Sequence, residues 1–428
     1  MKWISPIVVL ALGAAAILLP PPAEPQPDAV PGTVSPPLAI CPTEEGGTRS
    51  SELDVVSTAA GSGRISIFSG GGSVGSTTFE TGASGSVAVP VGGIAAVGEA
   101  AGLVEFPVSE SAAASITRGN GLLSAELCSR IPDRQVVVGG GTTTEDRIFQ
   151  INLMNPYSAG AVVDITAFSE SGRESADTLR SIVVPARSSV MVDVGSLLPG
   201  RESLNLVVDV TAGSVVTSAS LEANGDQATW RAAAPQEIWY APLPVYAGSR
   251  ELVIASATPS DVAFQVDVFG PDGLEEAALE GTVAAGGQEI VDLGSLSPAA
   301  IAVRVVATAP VGVFARLSGE GGIALATALD SSAAEWLMPG AGSSRTAGRL
   351  VLVNVGVEPA QVTVTELRDD SRSRVVELPP NAVVEVTLDE VPSHGVAVIA
   401  DSQVIPMWVG QSANAIALSG GHPIQPEQ

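Results

Sequence analysis

The stretch Val190-Met191-Val192-Asp193-Val194-Gly195-Ser196-Leu197-Leu198-Pro199 returns about a hundred residues later as Ile290-Val291-Asp292-Leu293-Gly294-Ser295-Leu296-Ser297-Pro298. A worn third copy, Glu385-Val386-Thr387-Leu388-Asp389-Glu390-Val391-Pro392, follows at nearly the same interval. A segment that recurs with its flanks marks repeated domains rather than one large core. Asp193 and Asp292 are placed to accept nearby backbone amides in an Asx-type turn, with Leu197 and Leu296 plugging the end of the domain. The competing reading is a calcium ligand at a domain junction. One carboxylate per copy is too few for a shell of six to eight oxygens.

The flanks recur too. Openings at Gln135-Val136-Val137-Val138-Gly139, Trp239-Tyr240-Ala241-Pro242-Leu243 and Trp336-Leu337-Met338-Pro339-Gly340 each precede an apolar strand, then an alternating strand and a turn. Phe168 and Phe269 hold the same place, as do Gly172 and Gly273. After the recurring segment comes a further strand pair read as joined by a tight turn, such as Val303–Ala307 to Val311–Phe314. Short strands of period two with frequent turn signals predict immunoglobulin-like antiparallel β-sandwiches in tandem, an all-β chain. The units fall at 41–132 (degenerate, without the recurring segment), 133–235, 236–332 and 333–420, with a tail at 421–428. Whether they form a rigid rod or fold back into a cluster is open at this level.

Composition narrows the function. Lys and Arg total 20 against 46 Asp and Glu, a net charge of −26, which repels phosphate backbones and excludes nucleic acid as a partner. The amino terminus, Met1-Lys2-Trp3 followed by an apolar run to Leu19, predicts a signal sequence or an uncleaved anchor over 1–19, so the rest of the chain is exported. If uncleaved, that segment makes the membrane a partner. Residues 20–40 are rich in Pro and read as a stiff spacer. Cys41 and Cys128 are the two cysteines, and in an exported chain they are expected to form one disulfide clasping the first unit.

Catalytic chemistry finds little support. Gly71-Gly72-Ser73-Val74-Gly75 matches the pattern of a nucleophile elbow, but a β-like continuation replaces the helix that motif needs. The two histidines, His394 in a turn and His422 in the tail, supply no general base near Ser73 in the chain. No metal or cofactor ligand set is legible, and none is expected. Trp239 and Trp336 read as packing residues at domain entrances. Together with Trp230 they are the candidates for sugar stacking should they prove exposed. Glu145-Asp146, Glu275-Glu276 and Asp369-Asp370 read as solvated loop charges.

The apolar amino terminus, the Pro-rich spacer, Cys41-Pro42, Cys128 ahead of Val136-Val137-Val138-Gly139-Gly140, Asn155-Pro156 and the Trp-x-x-Pro openings resemble an uncharacterised family of exported actinobacterial envelope proteins, a domain of unknown function. That resemblance implies a cell-envelope location, with genes beside a surface-polymer glycosyltransferase, and brings no catalytic residue. The expectation is therefore a non-catalytic exported scaffold or binding protein, with an envelope glycan or envelope protein as partner. The alternative is an accessory carbohydrate-binding or carbohydrate-active subunit.

Overall fold

A computed structural model of the chain describes residues 37–424, apart from 83–84, 96–97, 120, 224, 295, 298, 321, 342–346, 368–371, 389–394 and 413. The predicted signal or anchor segment 1–19 and most of the spacer lie outside the described residues, as do His394 and the second half of the third recurring copy, from Asp389 onward. Among the described residues nearly everything regular is strand. Helix is limited to the turn Val194–Leu197 and two 3-10 turns. The fold is all-β, as the alternation predicts.

Four sets of strands follow one plan, shown most simply by the third. One sheet there runs in the order Gly273–Val283, Val262–Gly270, the first half of Ile301–Gly319, and Gln236–Leu243. The other runs Gln288–Asp292, Ser249–Ser256, the second half of Ile301–Gly319, and Gly322–Thr327. All pairings are antiparallel, and buried Val, Leu, Ile and Phe fill the space between the sheets. The first unit keeps this plan although it lacks the recurring segment.

One expectation is overturned. Val303–Ala307 and Val311–Phe314 are not a hairpin but two halves of the single strand Ile301–Gly319, each serving a different sheet. Gly395–Gln411 crosses in the same way. In the second unit the crossing is broken at Gly213, whose φ of 73° turns Leu204–Ala212 into Val216–Ala223, and these two strands again lie in different sheets. A strand that changes sheets and a hairpin share one sequence signature, two apolar alternating runs around a few turn-like residues. Only the pairing partners separate them.

The recurring segment behaves as a strand end and cap. Asp193 Oδ1 accepts from the Ser196 amide at 3.1 Å, and Asp292 Oδ1 accepts from the Gly294 amide at 2.8 Å. The residues that plug the sandwich are Val194 and Leu293, both fully buried, whereas Leu197 and Leu296 are only half-buried. The boundaries shift at both ends. Leu38–Glu44, assigned in part to the spacer, is a strand paired with Glu99–Glu105. His422–Pro423, assigned to the tail, pairs with Ala333–Pro339. Both segments are short runs beside proline, so composition masks their strand character.

The units are not independent beads. The last strands of the four units, Leu123–Leu127, Asp226–Arg231, Gly322–Thr327 and Ile416–Gly420, each touch the next and close a ring about a common axis. Around that axis each unit's other sheet packs on the following unit. Ile40 and Ala101 meet Met154 and Val216, and Gly139 lies so near Ala255 and Phe314 that a Cβ there would come within 2.9 Å of both. The fourth unit returns to the first: Leu337 and Leu367 pack with Val56 and Ala112. A single apolar core runs from Ala114 through to Leu418. The cluster, not the rod, is the arrangement of residues 37–424.

Candidate functional site

Where the axial strands end, the chain steps outward onto the opening strand of its own unit. Residues 127–133, 231–236, 327–331 and 421–424 therefore converge on one face and line a bowl of about 800 Å³. Its position follows from the repeat, since the segment after each axial strand pairs with the opening strand of its own unit, Ser129 with Ile40, Ala233 with Val137, Leu329 with Tyr240 and His422 with Leu337.

The side chains in the bowl are not repeated. Arg130 lies over the Phe106 ring with its guanidinium carbon 5.2 Å from the centroid, and donates to the carbonyls of Ser109, at 2.9 Å, and Ser111. Arg231 closes the axial strand Asp226–Arg231 and is half-buried. His422 stands close enough to both arginines to feel their charge. Burial, reinforced by Arg130 and Arg231, pulls its imidazole down to about 3, so it is neutral at physiological pH. Asp133 and Asp330 are exposed lining residues. Burial raises Asp133, with Arg231 opposing and Asp330 reinforcing the shift.

Beneath the bowl on the axis, the Glu126 carboxylate accepts from the Ser218 hydroxyl at 2.6 Å. Burial pushes it up to about 8 against the Ser218 donor and the Arg231 charge. At the far end of the axis, buried Asp226 accepts the amides of Leu123 at 3.1 Å, Ile323 at 3.0 Å and Ile416 at 3.3 Å. Those three amides begin the other three axial strands, and the Gln227 amide also reaches Asp226. Burial nevertheless holds Asp226 up at about 6.

Of the residues singled out from sequence, Cys41 and Cys128 form the predicted disulfide, with Cα atoms 4.6 Å apart, and Cys128 lines the bowl. Trp239 and Trp336 are among the residues lining the bowl and Trp230 is not, but all three are only 1–2% exposed, too little to present a ring face for stacking. The Trp239 indole donates to Gln236 O and Val311 O, and Trp336 repeats the pattern with Ala333 O and Val404 O. Trp230 stacks on Phe149 at 6.1 Å. Ser73 is the second residue of the strand Gly72–Thr81, paired with Phe68 in a hairpin, and no helix follows it. Among the described residues no cluster of three metal-binding side chains occurs. Sequence reasoning missed Arg130, Arg231, Asp133 and Asp330. They carry no motif, and only the closure of the ring assembles them.

One family model, that of DUF5719, matches the chain twice, over residues 94–322 and again over 249–408. The chain belongs to DUF5719, a family of unknown function. That the second match begins inside the first is what internal repetition of the DUF5719 pattern produces. No curated protein matches this DUF5719 chain. Among solved structures, the crystal structure of Thermotoga maritima 1070 is similar at 17% identity and a TM-score of 0.19, over 23% of this chain and 100% of its own. A tetra-tandem repeat in the extending region of a large adhesion protein is similar at 14% identity and a TM-score of 0.12, over 90% of this chain and 98% of its own.

Proposed function

We propose that this DUF5719 chain is a non-catalytic binding protein of the cell envelope, taking its ligand in the axial bowl. The observation that carries the reading is the bowl itself, a concavity of about 800 Å³ built jointly by all four units. That volume lies in the range of small-molecule and short-oligomer sites. Export is supported by the Cys41–Cys128 disulfide, a bond that persists in oxidising compartments, and by the apolar amino terminus of the sequence. The actinobacterial and membrane-anchored aspects rest on the sequence resemblance and on residues 1–19.

Filling the bowl tests the reading. Ser331→Trp places a large side chain on its wall. Fragments of envelope polymer that bind the wild-type protein in calorimetry are expected to lose binding to the variant while its melting temperature holds. Undiminished binding would move the site elsewhere.

A second reading, a carbohydrate-active subunit, is favoured by one observation, the electrostatically coupled Asp133 and Asp330 in the bowl. Paired carboxylates are the usual machinery of glycoside hydrolysis. Loss of any glycan-cleaving activity in Asp133→Asn and Asp330→Asn would support it, and no cleavage by the wild type would dismiss it.

A further inference from the structure

Six arginines, at 49, 118, 201, 304, 316 and 349, form the ion pairs of the described residues, each with a carboxylate within 4.0 Å. Arg130 and Arg231 are not among them. Among the described residues neither has such a partner, yet both line the bowl and both are partly buried. Three carboxylates also line the bowl, Glu110 facing Arg130, Asp133 facing Arg231 and Asp330 beside Asp133, and they act on the arginines at longer range than an ion pair. Glu126 behind Arg231 is held neutral at pH 7 by its burial.

Resting on the reading of the bowl as the binding site, we infer that it selects ligands bearing an oxyanion, a carboxylate or a phosphate, which Arg130 and Arg231 hold beside the imidazole of His422. Guanidinium groups present planar, forked donors that match carboxylate and phosphate oxygens. Arg130 is already oriented for this. One edge is bound to the Ser109 and Ser111 carbonyls and its face lies on Phe106, so little freedom is lost when an anion arrives. His422 completes the arrangement. A neutral imidazole between two cations can donate to an oxyanion without adding a third buried charge. The rest of the cavity leaves room for a body of about disaccharide size.

The test uses the full exported chain and three disaccharides of matched size, one with a uronic carboxylate, one with a phosphate and one neutral. At least one charged probe is expected to bind ten-fold or more tightly than the neutral one, and the tighter of the two identifies the oxyanion. Arg231→Gln should remove that ten-fold preference, and Arg231→Lys should restore part of it, at unchanged melting temperature. His422 gives an independent readout. In a His394→Gln background it is the single histidine, and its proton resonance should show a higher pKa on saturation, because the anion offsets the arginine charges. Equal binding of all three probes, abolished by Ser331→Trp, overturns the oxyanion inference and leaves the binding reading standing. Equal binding unaffected by Ser331→Trp overturns both. If no probe binds and millimolar inorganic phosphate leaves His422 unmoved, the oxyanion inference fails.

Discussion

Asp226 is the residue on which closure of the ring can be tested most directly. Its carboxylate accepts amides from Leu123, Ile323 and Ile416, one from each of the other units, and from Gln227 of its own. Asp226→Ala leaves these buried donors without an acceptor. Each orphaned amide costs about 1–3 kcal/mol. Local relaxation and the relief of no longer desolvating a carboxylate offset part of the sum, so a net loss of about 3–6 kcal/mol is expected. For a chain of this size that is a fall of roughly 4–7 °C in melting temperature. Asp226→Asn keeps one acceptor oxygen but turns an NH2 towards the donors, and should lose about 2–4 kcal/mol. Urea unfolding at pH 7.5, above the Asp226 pKa of about 6, gives the free energies. Hydrogen exchange at Leu123, Ile323 and Ile416 gives the location. If the alanine variant stays within about 1 kcal/mol of wild type and those three amides keep their protection, the carboxylate is not what ties the units together.

Glu126 predicts a pH dependence of the opposite sense to a paired carboxylate. Its folded pKa of about 8 stands above the ordinary 4.5, so the stability of its neutral form is full below 4.5 and is lost as pH rises through 8. Wild-type stability should fall by on the order of a few kcal/mol between pH 5 and 8.5, and Glu126→Gln should flatten that slope in urea titrations. At the seam between the last and first units, a Cβ on Gly395 would lie 2.0 Å from Val56 Cγ1. Gly395→Ala should cost about 1–3 kcal/mol, and Val56→Ala in the same chain should recover much of it, a coupling read from a double-mutant cycle. Replacing Cys41 and Cys128 by serine opens a clasp spanning 87 residues, and should lower stability by about 4–5 kcal/mol on the chain-entropy account, measured from the urea midpoint.

The sequence made the unit legible and left the assembly out of sight, for a physical reason. Period-two alternation is a local property imposed by one buried face, so strands such as Val262–Gly270 and Ala360–Glu366 announce themselves. The turn at Asp193 was legible because Asp, Gly and Ser at that spacing have few other uses. What joins one unit to the next has no such signature. Gly139 and Gly312 sit within runs that read as strands and carry no mark of an interface. In the structure they are where two sheets approach too closely for a side chain, Gly312 facing Val137 and Gly139 facing Phe314. Trp239 and Trp336 read from the sequence as entrance residues, but whether an entrance lies at the surface or beneath a neighbouring copy is decided only by closure. Arg130 and Arg231 were invisible for the same reason. An arginine at the end of a strand is ordinary, and becomes notable only when closure of the ring sets it in the wall of a shared cavity.

Closure within one chain also permits something that four identical subunits could not. Pairing registers align Leu127, Arg231, Thr327 and Gly420 as equivalent positions at the bowl end of the axis, opposite Ala114, Ser218, Phe314 and Met407. One step inward the set is Glu126, Trp230, Ala326 and Ser419. At the far end Asp226 is the counterpart of Leu122, Gly322 and Ala415, with Gly322 so close that a Cβ would meet Asp226 Oδ2 at 2.1 Å. Identical subunits would gather four guanidinium groups at the first of these levels or four carboxylates at the last, and like charges sharing a site cannot all ionise. Four residues of differing size solve the axial problem once per level. A single carboxylate serves four amides, a single large indole occupies space that four could not share, and a single arginine reaches the bowl. The divergence among the copies, which makes the first unit hard to recognise by its sequence, is therefore what allows the axis to close and leaves its open end chemically uneven, with a cationic side that a symmetric ring could not confine to one place.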